Sequence, residues 1–361
     1  MGGNVVFLKK VGKPLLKFGL PLVVLVLFII ELRQNWSALT AHHFQWNLWL
    51  LLLAFLGFVL QELSFGLIWK TVLARLGYRL DLRACLRIYL ASEFVRYIPG
   101  NVWHVLTRIL WVGRYGVSRP MAFASMVIEL ITKLAAGALI FAASLLFWHD
   151  VGALGNSAQA PFVLGFGVVA ILALLIGLHP RILGGLLNGG LRLLKRQPVI
   201  LTLRYSDILL ITLAWCLSWL VAGFAFFLLV LSLWPALPWS ALPICIGISA
   251  LAWDIGFVSF ITPGGLGFRE GAVVGLFALA LPAAPAGLAI IIALLWRLVS
   301  TLAELLCVSL AYLSGERQMR EVQQAEARIQ AGQTEPQAEQ EAGPVAEDLA
   351  VLHMEGGTGR D

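Results

Sequence analysis

Thr262-Pro263-Gly264-Gly265-Leu266-Gly267-Phe268-Arg269-Glu270 interrupts an apolar run, with some twenty mostly apolar residues before it and another apolar stretch after it. A weaker echo, Tyr97-Ile98-Pro99-Gly100-Asn101, lies far upstream, again between apolar arms. Proline lacks a backbone donor and glycine permits unusual dihedrals, so each knot is expected to break a helix. Lipid cannot satisfy freed backbone groups, so a break at membrane depth has to be buried in protein or line a polar cavity. Two such breaks in corresponding halves of a chain point to a transport site.

Composition agrees with that setting. The chain is 60% hydrophobic and 13% charged, with a mean hydropathy of +0.86, which excludes an ordinary soluble domain. Stretches long enough to cross a hydrocarbon core fall near 15–32, 48–69, 120–148, 160–178, 206–234 and 286–313. The arms around Pro99 are too short to span comfortably, so 84–113 and 240–281 read as re-entrant hairpins, the first from the cytoplasm and the second from outside. Two full crossings per knot give the same parity, so loop charge does not separate the two courses. The expected architecture is all-α: a polytopic membrane protein with about six transmembrane helices and two re-entrant helical hairpins.

An inverted repeat follows from this arrangement. Phe94-Val95-Arg96-Tyr97-Ile98-Pro99-Gly100 resembles Phe257-Val258-Ser259-Phe260-Ile261-Thr262-Pro263-Gly264 with one insertion. Each knot precedes a long span carrying ionisable residues, Glu129 and Lys133 in the first half and Arg297 and Glu304 in the second. The flanking spans run in opposite directions, as in many alternating-access transporters.

Basic residues orient the chain. Lys9, Lys10, Lys13 and Lys17 precede the first apolar run, and Arg181, Arg192, Lys195, Arg196 and Arg204 fill a later connector, whereas the alternate connectors carry only Arg33. The positive-inside rule then places the chain in the cytoplasmic membrane with both termini cytoplasmic. Residues 1–314 hold 22 Lys and Arg against 10 Asp and Glu, while 315–361 hold 4 against 10. The basic face suits anionic lipid headgroups; spread over short loops, it does not suit nucleic acid. The lysines before the first apolar run resemble a signal peptide, but no small-residue cleavage site follows and a retained span is expected. The membrane domain is assigned to 1–314 and a disordered cytoplasmic tail to 315–361, with 316–331 able to extend the last helix. From about Gly332 the composition is too polar to offset the entropy of ordering.

Charged residues at membrane depth are the first candidates for function. A re-entrant half-helix presents unpaired N–H groups and a positive dipole end, which attract phosphate or carboxylate. Pro263, Gly264, Gly265 and Gly267 let an anion approach the backbone there; Arg269 adds charge, and Glu270 orients either Arg269 or Arg297. Pro99, Gly100, Asn101 and Arg108 make the corresponding set upstream, and the glycines serve equally well for close helix packing. Arg297, with no acidic neighbour in sequence, is a further anion contact. Glu129 and Lys133, four apart, suit an intrahelical pair as well as a gating role; Glu93 and Arg96, three apart, invite the same reading. Asp254 and Glu62 are gating or coupling carboxylates, or else cap a helix or pair with an arginine. The four cysteines have no CxxC spacing and read as small buried hydrophobes. His104 beside Trp103 reads as interfacial, and the six histidines make no ligand spacing. No metal, cofactor or nucleotide motif and no catalytic constellation is apparent.

Pro263-Gly264-Gly265-Leu266-Gly267-Phe268-Arg269-Glu270 resembles the PGGxGxRE signature of the lysylphosphatidylglycerol synthase transmembrane-region family. Tyr97 to Asn101 with Arg108, Gly113 and Gly116-Val117-Ser118 resembles its upstream motif, with Asn101 where a further glycine is common. The resemblance extends over about 15–314 and implies a flippase-like integral membrane domain, similar to the lipid-translocating half of the multiple peptide resistance factor proteins. The 47 polar tail residues are too few for the aminoacyl-transfer domain of those proteins, so the resemblance argues against lysylphosphatidylglycerol synthesis. Other members are linked to hopanoid or polyprenyl-glycolipid pathways. The expected activity is translocation of an anionic phospholipid, a polyprenyl-phosphate glycolipid or a related lipid. The alternatives are a secondary transporter of a small anion or solute, and a membrane-embedded accessory enzyme of envelope-lipid synthesis. An oligomer is compatible with either.

Accessibility distinguishes re-entrant hairpins from crossings. Single cysteines at positions 99 and 263, in a chain lacking the native four, are expected to label poorly or through an aqueous cavity. Labelling of position 99 solely from outside, or of 263 solely from the cytoplasm, would mean full crossings.

Overall fold

The computed structural model describes residue 33 and residues 46–93, 103–148, 160–193, 203–259, 265, 267–285 and 287–330. The expected first span at 15–32, the knot residues Pro99, Gly100, Asn101, Pro263 and Gly264, and the tail from 331 lie outside the described residues. The re-entrant courses and the inverted repeat turn on those knots. Among the described residues the chain is all helical, with no strand.

The long helices are α1 (Leu48–Arg75), α4 (Arg119–Ser144), α7 (Tyr205–Leu233), α8 (Leu242–Val258) and α10 (Leu288–Gln330). Shorter ones are α2 (Leu82–Glu93), α3 (Trp103–Val112), α5 (Ala160–Gly177), α6 (Pro180–Leu193) and α9 (Phe268–Ala280). Among the described residues five stretches are long and apolar enough to cross a membrane: Leu48–Arg75, Arg119–Phe147, Tyr205–Leu233, Trp239–Val258 and Leu288–Ala311. Gly167–Gly177 and Pro180–Gly190, bent by 68°, make a sixth if taken as one span. Trp239–Val258 was expected as one arm of the second hairpin, yet at 20 residues it is long enough to span alone.

Local chemistry sets the ends of these helices. Asn47 caps α1, its Oδ1 accepting from the backbone N–H of Trp49 at 3.1 Å and Leu50 at 3.2 Å. Proline occupies the first turn of α4 and of α8, where its missing donor costs nothing. The start of α9 is held by Glu270, whose Oε2 accepts from the Gly267 N–H at 2.8 Å.

Small residues then let the spans approach. A Cβ on Gly57 would lie 2.7 Å from that of Ala225, bringing α1 against α7, and one on Gly223 would lie 2.7 Å from the Ile246 Cβ of α8. Helix α7 packs against α1, α4 and α8, while α8 also packs on α4 and α9. Apolar burial is correspondingly dense: Trp69, Trp215, Trp219, Phe226 and Phe227 are all buried. Arg75 pairs with Asp207 at 2.5 Å, joining the end of α1 to the start of α7.

By its internal contacts the chain divides into Met1–Ala311 and Tyr312–Asp361. In the second unit the described residues are helical as far as Gln330, including much of 316–331.

Gly265 shows how the second knot is built. Its φ is +71°, and a Cβ there would drive into the backbone carbonyl of Gly256. Gly267, at φ +83°, has nothing within 4 Å of its Cβ position. Gly265→Ala therefore incurs both the left-handed backbone cost, roughly 1–2 kcal/mol, and an overpacking cost of about 1–3 kcal/mol. Gly267→Ala incurs only the first. Thermal melts of the purified variants are expected to rank wild type above Gly267→Ala, and that above Gly265→Ala; equal melting of the two variants would contradict the close approach.

Candidate functional site

Arg108 organises the first half of the site. It is 1% exposed, and its Nε donates to Ser92 Oγ at 2.9 Å. Nη1 donates to Glu129 at 2.7 Å and Nη2 to Glu93. The guanidinium also lies 3.9 Å from the Tyr89 ring centroid, and Tyr89 donates its hydroxyl to the other Glu129 oxygen at 2.7 Å. Helices α2, α3 and α4 are thereby joined through one buried cation. Intrahelical spacing also suits Glu129 with Lys133 and Glu93 with Arg96; in the structure both carboxylates bond Arg108, and Arg96 lies outside the described residues. Through these bonds Arg108 ties three helices into the wall of the site.

Lys133 has a different environment. Its Nζ lies 3.6 Å from the Phe65 ring centroid, 4.1 Å from Trp253 and 5.0 Å from Trp215. A cation over aromatic faces is stabilised by their quadrupoles, more so when water is excluded. The indole of Trp219 donates to the Lys133 backbone carbonyl at 3.2 Å and fixes that turn of α4 against α7.

The second half is built on the knot. Gly265 meets Gly256 of α8, and a Cβ on Gly256 would in turn lie 2.9 Å from that of Arg269. This close approach brings Arg269 under Trp296, with its Cζ 3.7 Å from the ring centroid. Glu270 accepts from the Gly267 N–H through one oxygen and faces Arg297 Nη1 at 3.4 Å with the other. Glu270 thus links the first turn of α9 to Arg297 on α10.

These residues surround one cavity of about 320 Å³, the volume range of a small-ligand site. Of the residues expected to serve the site, Glu62, Arg108, Glu129, Lys133, Gly265, Arg269 and Arg297 line it. Glu270 stands behind Arg297, Gly267 caps α9, and Asp254 lines a neighbouring apolar pocket. Pro99, Gly100, Asn101, Pro263 and Gly264 lie outside the described residues. Tyr89, Gln61 and Trp253 line the cavity without having been singled out, and His104, set aside as interfacial, lines it too. Tyr89 was detectable, since it lies four residues before Glu93 on a short apolar arm. The lining sets Arg108, Lys133, Arg269 and Arg297 against Glu62, Glu93, Glu129 and Glu304. It therefore offers cations for a phosphate and carboxylates for hydroxyl or ammonium donors. Among the described residues no group of three or more His, Cys, Asp or Glu is placed to hold a metal ion.

Removing one partner of a buried ion pair leaves an uncompensated charge, at about 3–5 kcal/mol. Arg108→Met is expected to lose most folded protein in detergent, and Arg108→Met with Glu93→Gln and Glu129→Gln to recover much of it. Wild-type melting of Arg108→Met alone would show that the guanidinium does not hold the wall.

No curated protein matches the chain significantly. The family model of the lysylphosphatidylglycerol synthase TM region matches residues 15–307, most of the chain and every residue named on the cavity wall. The chain therefore belongs to the lysylphosphatidylglycerol synthase transmembrane-region family, as a multi-pass membrane protein related to lipid handling.

Proposed function

We propose that this protein is a lipid translocase that carries a phosphate-bearing headgroup across the cytoplasmic membrane through the polar cavity, while the acyl chains stay in lipid. The observation that carries this reading is the meeting of Arg269 and Arg297 with four carboxylates on the wall of one cavity inside an apolar helical frame. Guanidinium binds phosphate oxygens in bidentate fashion, and the carboxylates accept from glycerol or sugar hydroxyls. The substrate is an anionic phospholipid, a polyprenyl-phosphate glycolipid or a related lipid. In this reading both termini are cytoplasmic, and the basic loops rest on anionic headgroups. In the sequence the motifs Tyr97 to Asn101 and Thr262 to Glu270 mark the two inverted halves of this reading. No step of covalent chemistry is assigned to the protein.

Reconstituted liposomes test the reading. Full-length protein is expected to accelerate movement of at least one headgroup-labelled probe among phosphatidylglycerol, phosphatidylethanolamine and a polyprenyl phosphate. A charge-assisted hydrogen bond contributes about 1.5–3 kcal/mol, so Arg269→Lys, normalised for folded protein, is expected to slow that movement roughly tenfold or more. If Arg297 and Glu270 are only a structural pair, the exchange Arg297→Glu with Glu270→Arg restores both folding and movement. Wild-type movement in a folded Arg269→Ala, Arg297→Ala variant would defeat the assignment, and uptake of soluble anions without lipid movement would favour a solute transporter.

A further inference from the structure

Asp254 follows Trp253 on α8 but lines a different space. Trp253, Gly256 and Phe257 line the polar cavity, whereas Asp254, Ile255 and Val258 line an apolar pocket of about 710 Å³ with Leu134 and Ala138 of α4. Asp254 is only 8% exposed, and its Oδ1 has no hydrogen-bond partner. The carboxyl is pressed onto α4 at Gly137, where a Cβ would come within 2.8 Å of its Cγ. One turn earlier on α4 is Lys133, which lines the polar cavity and whose Nζ lies 4.1 Å from the ring centroid of Trp253, the residue before Asp254.

The remaining titratable groups on helices packed against α8 have other engagements. On α4, Glu129 bonds to Arg108 and Tyr89, and Arg119 stands at the first residue of the helix. On α9, Arg269 lies over Trp296 and Glu270 faces Arg297. On α7, Asp207 pairs with Arg75, Tyr205 donates to the Leu175 carbonyl, and Cys216 is partly buried. The short turns Leu145–Phe147 and Trp239–Ala241 bring no titratable group.

A carboxylate facing apolar side chains is costly unless a cation compensates it. In this reading Lys133 supplies that compensation from across the α4–α8 contact, and it also lines the polar cavity. A phosphate entering the cavity competes for the same ammonium. Asp254 is then left in apolar surroundings with its countercharge diverted, and taking a proton from water to become a neutral carboxyl relieves the cost. We propose that Asp254 binds a proton as the cavity fills with a phosphate group and releases it as the cavity empties, with Lys133 linking the two events. This rests on the translocase reading and supplies that reading with a route for coupling to a proton gradient.

Infrared pH titration of the full chain, in vesicles of phosphatidylethanolamine, tests the proposal with sn-glycerol 1-phosphate as probe. Wild type is expected to show a protonated-carboxyl carbonyl band that titrates away with rising pH and is missing from a folded Asp254→Asn variant. Excess glycerol phosphate is expected to make the band persist to higher pH by roughly one to three units, the usual effect of an opposing charge nearby. Lys133→Gln is expected to reproduce that shift without the probe and to abolish the response to it. An unchanged band in folded Asp254→Asn, or a probe response that survives Lys133→Gln, would overturn the proposal. Lipid movement is scored separately: its absence with an intact probe response defeats only the translocase reading, and its presence without an Asp254 band defeats only this one.

Discussion

Charge buried among apolar helices has to be offset close by, and this constraint decides the arrangement of the molecule's interior. A lone ion at membrane depth is costly, so each cation on the cavity wall has a local answer. Arg108 is gripped by Glu93 and Glu129, Lys133 is enclosed by three aromatic rings, Arg269 lies over Trp296, and Arg297 faces Glu270. These compensations differ in kind. Carboxylates with hydrogen-bond geometry hold Arg108, whereas ring faces lie against Lys133 and Arg269.

Backbone geometry delivers the second group of charges. The left-handed Gly265 lets the chain touch the Gly256 carbonyl, and Gly256 in turn admits the Arg269 stem. Two glycines without side chains therefore set the position of one long cationic side chain. The N–H of Gly267 is satisfied by Glu270, which spends only one oxygen there and keeps the other for Arg297. The helix cap and the charge pair are the same side chain, which couples the start of α9 to α10.

Much of this was legible in the sequence because it depends on composition and local rules. Apolar length identifies the spans, and the residues Glu62, Glu129, Lys133, Arg269 and Arg297 stand out because ions are rare in such runs. What the sequence conceals is pairing across helices. Glu129 lies one turn from Lys133 and Glu93 three residues from Arg96, so local spacing points to neighbours and gives no sign of Arg108, which comes from α3 to bring several donors to one buried point. The facing of α8 is concealed in the same way. Trp253 and Asp254 are adjacent, but the helical turn sends one to the polar cavity and the other to an apolar pocket. Trp253 reads as a core aromatic until Lys133 is seen above it.

The central claim is that a lipid headgroup passes through this cavity. Thr301 of α10 lines it, and the adjacent Leu302 is 48% exposed on the outer surface of the helix. The most direct measurement is lipid movement in liposomes after a bulky thiol reagent has modified Thr301→Cys or Leu302→Cys, each in a chain without the native cysteines. The account predicts that modification at 301 stops movement of the labelled lipid and that modification at 302 leaves it unchanged. Full modification at 301 with an undiminished rate would contradict it.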